Sequence, residues 1–189
     1  MGHTDQGIQA GRDRYQAIPR VLLFLRNGGD VLLLKGSPSK RIWANCYNGV
    51  GGHVERGEDP LTAAHRELWE ETGLDGVALR LVAVVNVDAN DTKTGILMFV
   101  FTGWSEQRET RDSAEGELQW VAAEAVDQLP LVEDLPWLLP RILERPAAAP
   151  PLFLHYSYDA EDRLVIRPAD AHRRGADGAE RIRRLKVES

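Results

Sequence analysis

Within residues 52–74, four of the glutamates (Glu58, Glu67, Glu70 and Glu71) and Arg66 recur at a spacing that suits phosphate chemistry. Gly52 is followed after five residues by Glu58, and seven residues later comes the run Arg-Glu-Leu-Trp-Glu-Glu-Thr-Gly-Leu, which begins at Arg66. Carboxylate oxygens are hard ligands that suit Mg²⁺ or Mn²⁺, and a Mg²⁺ ion held by them usually binds substrate phosphates as well. The segment therefore predicts a magnesium-dependent enzyme that acts on a phosphate compound.

The acids lie on a predicted helix over residues 60–72. Asp59 is a preferred N-cap residue, and Pro60 suits the first helical position because its φ angle is already fixed near the helical value. Gly73 follows the last turn, where glycine commonly ends a helix. The apolar face of this helix is predicted to consist of Leu61, Ala64, Leu68 and Thr72, which recur at three- and four-residue steps.

Three glutamates of the predicted helix fall on one side of it. Glu67, Glu70 and Glu71 are separated by three and four residues, so their carboxylates converge. Carboxylates held this close repel one another and resist full ionisation unless a cation neutralises them. We expect Arg66 to pair with a glutamate and hold it in one rotamer. The alternative interpretation is a solvated helix face with Glu–Arg pairs.

The complete spacing resembles the signature of the Nudix hydrolase family. That signature is glycine, five residues, Glu, seven residues, then Arg-Glu-aliphatic-any-Glu-Glu-any-Gly-aliphatic. All nine specified positions match, namely Gly52, Glu58, Arg66, Glu67, Leu68, Glu70, Glu71, Gly73 and Leu74. The resemblance implies an α/β fold, the Nudix-type α/β/α sandwich with a mixed β-sheet. It also implies Mg²⁺-dependent hydrolysis of a nucleoside diphosphate linked to another moiety, with Mn²⁺ as the other candidate metal.

Composition narrows the class of protein further. The chain has 189 residues with 43% hydrophobic content, which suits one domain with tails. A net charge of −6 argues against general binding of nucleic acid or membrane surfaces, but a bound metal can still attract an anionic substrate. The single cysteine, Cys46, excludes an intramolecular disulfide, and no long apolar run or signal peptide is present. We expect a soluble, cytoplasmic monomer or homodimer with a nucleoside phosphate substrate and no membrane or nucleic-acid partner.

The chain divides into three predicted segments. Residues 1–17 form a loose, polar N-terminal segment, residues 18–167 a hydrolase domain, and residues 168–189 a charged tail. A hairpin is expected from 18–25 and 31–34 around an Asn-Gly-Gly-Asp turn. Further strands are predicted over 77–87, 95–103, 118–121, 152–157 and 164–166, with helices over 122–129 and from 137 onwards.

Residues outside the helix complete the metal site that the resemblance implies. Gly51, which precedes the first signature glycine, supplies a backbone carbonyl. Glu115 supplies a loop acid, because the stretch EGELQW resembles the loop and strand of MutT-type members; Asp112 and Glu117 are the alternatives. The expected metal ligands are thus Gly51, Glu67, Glu70, Glu71 and Glu115.

The expected catalytic residues are Glu70, Arg66 and Glu115. Either Glu70 or Glu115 takes the proton of the attacking water, and Nudix enzymes differ in which acid serves. Lys40 and Arg41, in the loop before the glycine-rich stretch, are candidates for contacts with phosphate groups. As basic residues in a polar loop, both are equally well interpreted as solvated.

A resemblance to MutT-type oxidised-purine triphosphatases suggests where the base binds. The stretch Tyr-Asn-Gly-Val-Gly-Gly resembles their W-N-G-F-G-G, which makes Asn48 a base-contacting residue. Glu133 and Asp134 match two acids that face the purine edge, although a turn role for Asn48 and a helix-capping role for the acids explain these residues equally well. The relatives carry a stacking tryptophan where this chain has Leu131.

The absence of residues typical of other branches of the family suggests which branch this chain resembles. Between residues 75 and 129 the chain has neither the proline typical of ADP-ribose hydrolases nor the tyrosine typical of dinucleoside polyphosphate hydrolases. This favours cleavage of a nucleoside triphosphate, such as 8-oxo-dGTP, to a monophosphate and pyrophosphate. The alternatives are hydrolysis of another nucleoside diphosphate derivative, or a non-catalytic domain that senses nucleotides or binds RNA through the basic tail.

Overall fold

A single mixed β-sheet organises the chain. The computed structural model describes residues 14–91, 93–111, 115–169 and 180–181. In these ranges the strands are β1 Gln16–Asn27, β2 Asp30–Gly36, β3 Tyr47–Asn48, β4 Leu79–Val87, β5 Thr94–Trp104, β6 Gly116–Ala122, β7 Leu152–Tyr158, β8 Leu164–Pro168 and β9 Glu180–Arg181. The helices are α1 Pro60–Thr72, a 3-10 helix Ala123–Gln128 and α2 Leu135–Leu143.

The strand order is β3-β2-β1-β5-β4-β7-β8-β9, with β6 paired to β2. Parallel pairing joins β1 to β5 and β4 to β7, whereas β4 and β5 are antiparallel, so the sheet is mixed. The predicted hairpin is confirmed, since β1 and β2 are antiparallel around the glycine turn. Their pairing is limited to the two residue pairs next to the turn, and β2 then continues along β6 over its whole length.

Alternation along β1 separates two hydrophobic cores, one on each face of the sheet. Val21 and Leu23 pack with Ala64 and Leu68 of α1. Leu22 and Phe24 face the opposite way and pack with the residues of α2. This is the period-two geometry of a strand buried on both faces. The predicted α/β/α sandwich with a mixed sheet is therefore confirmed.

Helix α1 begins and ends at the predicted residues. The Asp59 carboxylate accepts hydrogen bonds from the backbone N–H groups of Leu61 and Thr62, which would otherwise lack partners. Gly73 ends the helix at φ 76°, a left-handed conformation that glycine adopts without strain. One predicted core residue is wrong: Leu61 is 43% exposed, while Ala63 is fully buried. Side chains on a helix point toward its N-terminus. The side chain of a first-turn residue such as Leu61 therefore extends beyond the end of the helix into solvent, and does not pack against the sheet.

The remaining element predictions differ mainly in their bounds. The helix predicted over 122–129 is a short 3-10 helix, and α2 begins two residues before the predicted start at 137. The hairpin near the end of the domain is confirmed, with β7 and β8 antiparallel. Asp112 and almost all of the charged tail lie outside the described residues, and the division into three segments stays a prediction. No helix in the described ranges has the length and apolar character needed to cross a membrane.

Candidate active site

Arg66 forms hydrogen bonds with three glutamates, one before helix α1 and two within it. Its Nε and Nη2 donate to the two carboxylate oxygens of Glu58 at 2.7 and 3.0 Å, and Nη2 also donates to the His53 carbonyl at 2.9 Å. Its Nη1 donates to Glu67 at 2.9 Å and to Glu70 at 3.1 Å. Hydrogen bonding to Arg66 lowers the pKa of Glu58, so this acid is held ionised in a structural position. The expected Arg–Glu pairing is therefore present, and it involves three glutamates.

The glycine-rich stretch can lie directly against the same carboxylates because glycine has no side chain. A Cβ atom on Gly51 would lie 2.2 Å from the Val21 carbonyl oxygen, and one on Gly52 would lie 2.3 Å from a carboxylate oxygen of Glu67. The Gly51 N–H donates to a carboxylate oxygen of Glu71 at 3.3 Å. This close approach places the Gly51–Gly52 backbone beside the acids of the helix.

Glu71 is the most buried acid of the helix, with 7% of its surface exposed. Burial, followed by the negative charge of Glu115, raises the pKa of Glu71 to about 7. Glu115 therefore lies near the helix acids although it comes from a different part of the chain. Glu115 also accepts a hydrogen bond from Lys40 at 2.8 Å, and the positive charge of Lys40 opposes the increase at Glu71.

The carboxylate oxygens of the helix acids and Glu115, together with the Gly51 carbonyl oxygen, are the type of ligand that a divalent cation requires. Among the described residues, no three acidic, histidine or cysteine side chains converge closely enough to form a ready cation cluster. Arg66 instead holds the carboxylates of Glu67 and Glu70. The donor set nevertheless fits Mg²⁺ or Mn²⁺, because every donor is oxygen and because a cation would compensate the charge of the buried Glu71.

A cleft of about 380 Å³ opens beside these acids. Gly51, Gly52, Lys40 and Glu115 line one part of it, and Asn48 also faces it. The Asn48 side-chain oxygen accepts a hydrogen bond from the Gly49 N–H at 2.8 Å, which leaves the amide NH₂ as the group available to a ligand. The turn role considered for Asn48 is thus compatible with its place in the cleft.

The acid pair Glu133 and Asp134 lines the same cleft. Asp134 is 8% exposed, and although it occupies the N-cap position of α2, its side chain makes no capping hydrogen bond. Burial, with a smaller contribution from the charge of Glu133, raises the pKa of Asp134 to about 7. Glu133 accepts a hydrogen bond from the Tyr158 hydroxyl at 2.7 Å. An acid that can carry its proton near neutral pH, beside a second carboxyl, can both donate and accept, which is the requirement for binding the edge of a base.

The other sequence candidates lie outside the cleft. Arg41 is exposed and does not line it, and Glu117 is an exposed residue that faces away with Lys35. Glu70 is half exposed and contacts Arg66 rather than the cleft. Leu131 is buried in the core beside α2, so it does not replace the stacking tryptophan of the MutT-type proteins.

Three residues that sequence reasoning missed line the cleft: Arg20, Trp43 and Tyr156. Trp43 is 41% exposed and adopts φ 62°, an uncommon conformation for a bulky residue. Arg20 is separated from Leu22 and Phe24 by two and four residues, so its side chain is on the same face of β1 as theirs. The alternating pattern of the sequence could therefore have indicated that Arg20 faces inward. Tyr156 comes from β7, more than a hundred residues beyond the glycine-rich stretch, and no local pattern connects the two.

Comparison with known proteins identifies the family of the chain. The family model described as the NUDIX domain matches residues 16–142, more than half of the chain. The chain belongs to the Nudix family.

Among curated proteins, it is similar to a protein named phosphatase NudJ from Escherichia coli K12. The two are 36% identical over 92 residues, which cover 47% of this chain and 57% of the relative. The match therefore spans little more than half the length of that relative.

Solved structures share the fold. A mutator MutT protein from Bacillus halodurans is 23% identical with a TM-score of 0.68, over 80% of this chain and 97% of that chain. A MutT protein from Methanosarcina mazei Go1 is 28% identical with a TM-score of 0.53, over 62% of this chain and 86% of that chain.

Proposed function

We propose that this protein is a Mg²⁺-dependent pyrophosphohydrolase that cleaves a nucleoside triphosphate to a monophosphate and pyrophosphate. The observation that carries the proposal is a single cleft with two chemically different ends. One end adjoins the acids around Gly51 and Glu71, and the other holds Asn48 with the buried acid pair. A nucleotide has the same division into a phosphate chain and a base. The relative named as a phosphatase supports a phosphate-cleaving activity.

The metal ligands of the proposal are the Gly51 carbonyl and four carboxylates, those of Glu67, Glu70, Glu71 and Glu115. When bound, the ion would offset negative charge on the substrate phosphates and activate water for attack. The contact of Gly51 with Glu71 and the charge interaction of Glu71 with Glu115 support this set. Mn²⁺ accepts the same oxygen donors and is expected to substitute.

The residues of the chain have separate tasks in the proposed reaction. A glutamate takes the proton of the water that attacks phosphorus, and Glu115 is favoured over Glu70 because it lines the cleft. Lys40 holds Glu115 through their ion pair and is near enough to the acids to contact a phosphate group. Arg66 positions Glu67 and Glu70 through hydrogen bonds.

The base-binding end favours a purine. Asn48 and Asp134 supply hydrogen-bonding groups, and the exposed indole of Trp43 lies at the same cleft and can stack on the base. An oxidised purine such as 8-oxo-dGTP is the proposed substrate, since a protonated acid next to an ionised one matches a base edge with both donors and acceptors.

Product analysis with Mg²⁺ tests the proposal. The panel comprises the canonical ribo- and deoxyribonucleoside triphosphates, 8-oxo-dGTP, ADP-ribose and a diadenosine polyphosphate. The expected result is a monophosphate plus pyrophosphate, formed fastest from 8-oxo-dGTP. Turnover confined to ADP-ribose or the dinucleotide would retain the metal site and refute the proposed substrate. Nucleotide binding without any turnover would instead identify a sensor.

A further inference from the structure

Two buried polar atoms in the described part of the chain have no hydrogen-bond partner: the Nε of Arg20 and the hydroxyl of Tyr156. Buried polar groups in folded proteins are nearly always paired, and each exception requires an explanation. Both residues line the 380 Å³ cleft beside the acids. Their shared location indicates that one ligand satisfies both groups.

Tyr156 lies on β7, outside the part of the chain that the NUDIX family model matches. It is 3% exposed, and it pairs with Val87 of β4, which also lines the cleft. Its hydroxyl lies near the Asp134 carboxyl, but no well-oriented hydrogen bond joins them. The hydroxyl is therefore placed at the end of the cleft that holds the acid pair.

Arg20 lies on β1 at a position that faces the cleft. Its backbone pairs with His53, the residue after Gly52, and its neighbour on β5 is Met98, another residue of the cleft. Gly52 packs against the Glu67 carboxylate, so the backbone of Arg20 lies beside the segment that contacts the helix acids, while its side chain lines the cleft. A guanidinium N–H in this position requires an acceptor, and a phosphate oxygen provides the strongest type of hydrogen bond for it.

We propose that Tyr156 and Arg20 are ligand-binding residues of this cleft. The Tyr156 hydroxyl donates to an acceptor atom on the base, and the Arg20 guanidinium donates to a phosphate oxygen. The inference rests on the proposed function, and it adds a residue that selects the base and a residue that holds the phosphate chain. It also assigns a role in specificity to β7.

The Tyr156 hydroxyl, as a hydrogen-bond donor, is expected to favour guanine over bases that lack an acceptor at the same position. On its Watson–Crick edge guanine presents one acceptor, O6, and donors at N1 and N2, whereas 2-aminopurine keeps the amino group but lacks both O6 and the N1 proton. The carboxyls of Glu133 and Asp134 accept from donors, and the Tyr156 hydroxyl donates to the acceptor. Loss of the hydroxyl therefore affects ligands with O6 and leaves ligands without O6 unchanged.

The test measures affinities by calorimetry with Mg²⁺ present, on the full chain. The probes are guanosine, guanosine 5′-monophosphate and 2-aminopurine riboside 5′-monophosphate. Tyr156→Phe is expected to weaken both guanine ligands about tenfold, the loss of one hydrogen bond, and to leave the 2-aminopurine ligand unchanged. Arg20→Gln is expected to weaken the two monophosphates by 10- to 100-fold and to leave guanosine unchanged, with partial recovery in Arg20→Lys.

Matched controls come from the same residue types outside the cleft. Tyr15→Phe removes an exposed hydroxyl, and Arg80→Gln removes a guanidinium that donates to the backbone carbonyls of residues 145 and 146. Both controls should bind all three probes as the wild type does. Equal affinities of Tyr156→Phe and wild type for guanosine would overturn the role of Tyr156. A loss of guanosine binding in Arg20→Gln equal to its loss of monophosphate binding would overturn the phosphate contact.

Thermal stability separates ligand binding from a purely structural role. Tyr156→Phe removes an unsatisfied buried group, so the ligand-free Tm should rise, by about 2–4 °C for a protein of this size. A lower Tm with unchanged preference for guanine would mean that Tyr156 serves the fold through Asp134, which overturns the inference. Triphosphate turnover is measured separately. Its absence in the wild type would refute the proposed function, whereas the binding data alone decide the roles of Tyr156 and Arg20.

Discussion

The contact between Gly52 and Glu67 makes the position of one carboxylate testable with a single methyl group. Gly52→Ala adds a Cβ atom that would lie 2.3 Å from one oxygen of Glu67, 2.6 Å from its carboxyl carbon and 2.8 Å from its other oxygen. Ordinary contacts between such atoms are about 3.5 Å. The carboxylate must therefore move by roughly 1 Å. Because it ends a flexible side chain, the backbone and the two hydrophobic cores can stay in place.

The expected consequence is a large loss of activity with little loss of stability. A displacement of about 1 Å in a catalytic constellation lowers the rate by about 10²-fold. If Glu67 is a metal ligand, Gly52→Ala should reduce kcat by this factor and raise the Mg²⁺ concentration needed for half-maximal rate. The free energy of unfolding should change by less than about 1 kcal/mol, because the added methyl group meets the movable end of a side chain and not the backbone or a packed core.

The assay is a magnesium titration of triphosphate turnover, combined with thermal unfolding of the same samples. Gly29→Ala is the matched control, because its Cβ atom would have no neighbour within 4 Å and its residue lies in the turn between β1 and β2. Wild-type kcat and magnesium dependence in Gly52→Ala would refute the reasoning about Glu67. A similar defect in Gly29→Ala would show that the effect is not specific to the carboxylate.

Four further outcomes are expected. Glu70→Gln and Glu71→Gln should each lower kcat by roughly 10²-fold or more without unfolding, as measured by turnover and circular dichroism, and near-normal rates in both would contradict the assignment. Removal of divalent metal with EDTA should abolish turnover, and Mg²⁺ or Mn²⁺ should restore it; activity that persists in EDTA would refute metal dependence. Trp43→Ala should raise KM about tenfold with little change in kcat, because stacking holds the base in the ground state and the transition state alike. Asp134→Asn should raise the Tm at pH 8 but not at pH 5. The raised pKa of Asp134, about 7, means that the folded protein loses stability as pH rises through that value; equal Tm changes at both pH values would disprove this.

The helix and its charges were predictable because their signals are local. Asp59 and Gly73 define the ends of α1 through backbone chemistry within a few residues. The acids of the helix follow the spacing of a single regular element, so no knowledge of the sheet was needed to place them together. Leu61 shows the limit of this reasoning, since its exposure depends on where the helix ends relative to the sheet.

The cleft was only partly predictable because it is assembled from strands that are distant in sequence. Arg20, Tyr156 and Trp43 come from β1, β7 and the loop before β3, and their proximity depends on the strand order. Parallel pairing of β1 with β5 and of β4 with β7 brings the first and later strands together. Periodicity indicates which side of a strand faces inward, but it does not indicate which distant strand lies beside it.

The charges around the cleft explain why the proposed site would need both a cation and the donor groups of Arg20 and Tyr156. A triphosphate that approaches Glu71 and Glu115 would meet like charge, and the pKa of Glu71 is already raised by burial and by the charge of Glu115. Lys40 compensates only part of that charge, because it is already paired with Glu115. A divalent ion at the helix acids would reverse the sign of the field at the proposed position of the phosphates. In the proposed complex, the hydrogen bonds of Arg20 and Tyr156 would orient the rest of the nucleotide, so that the phosphate chain reaches the acids in one register.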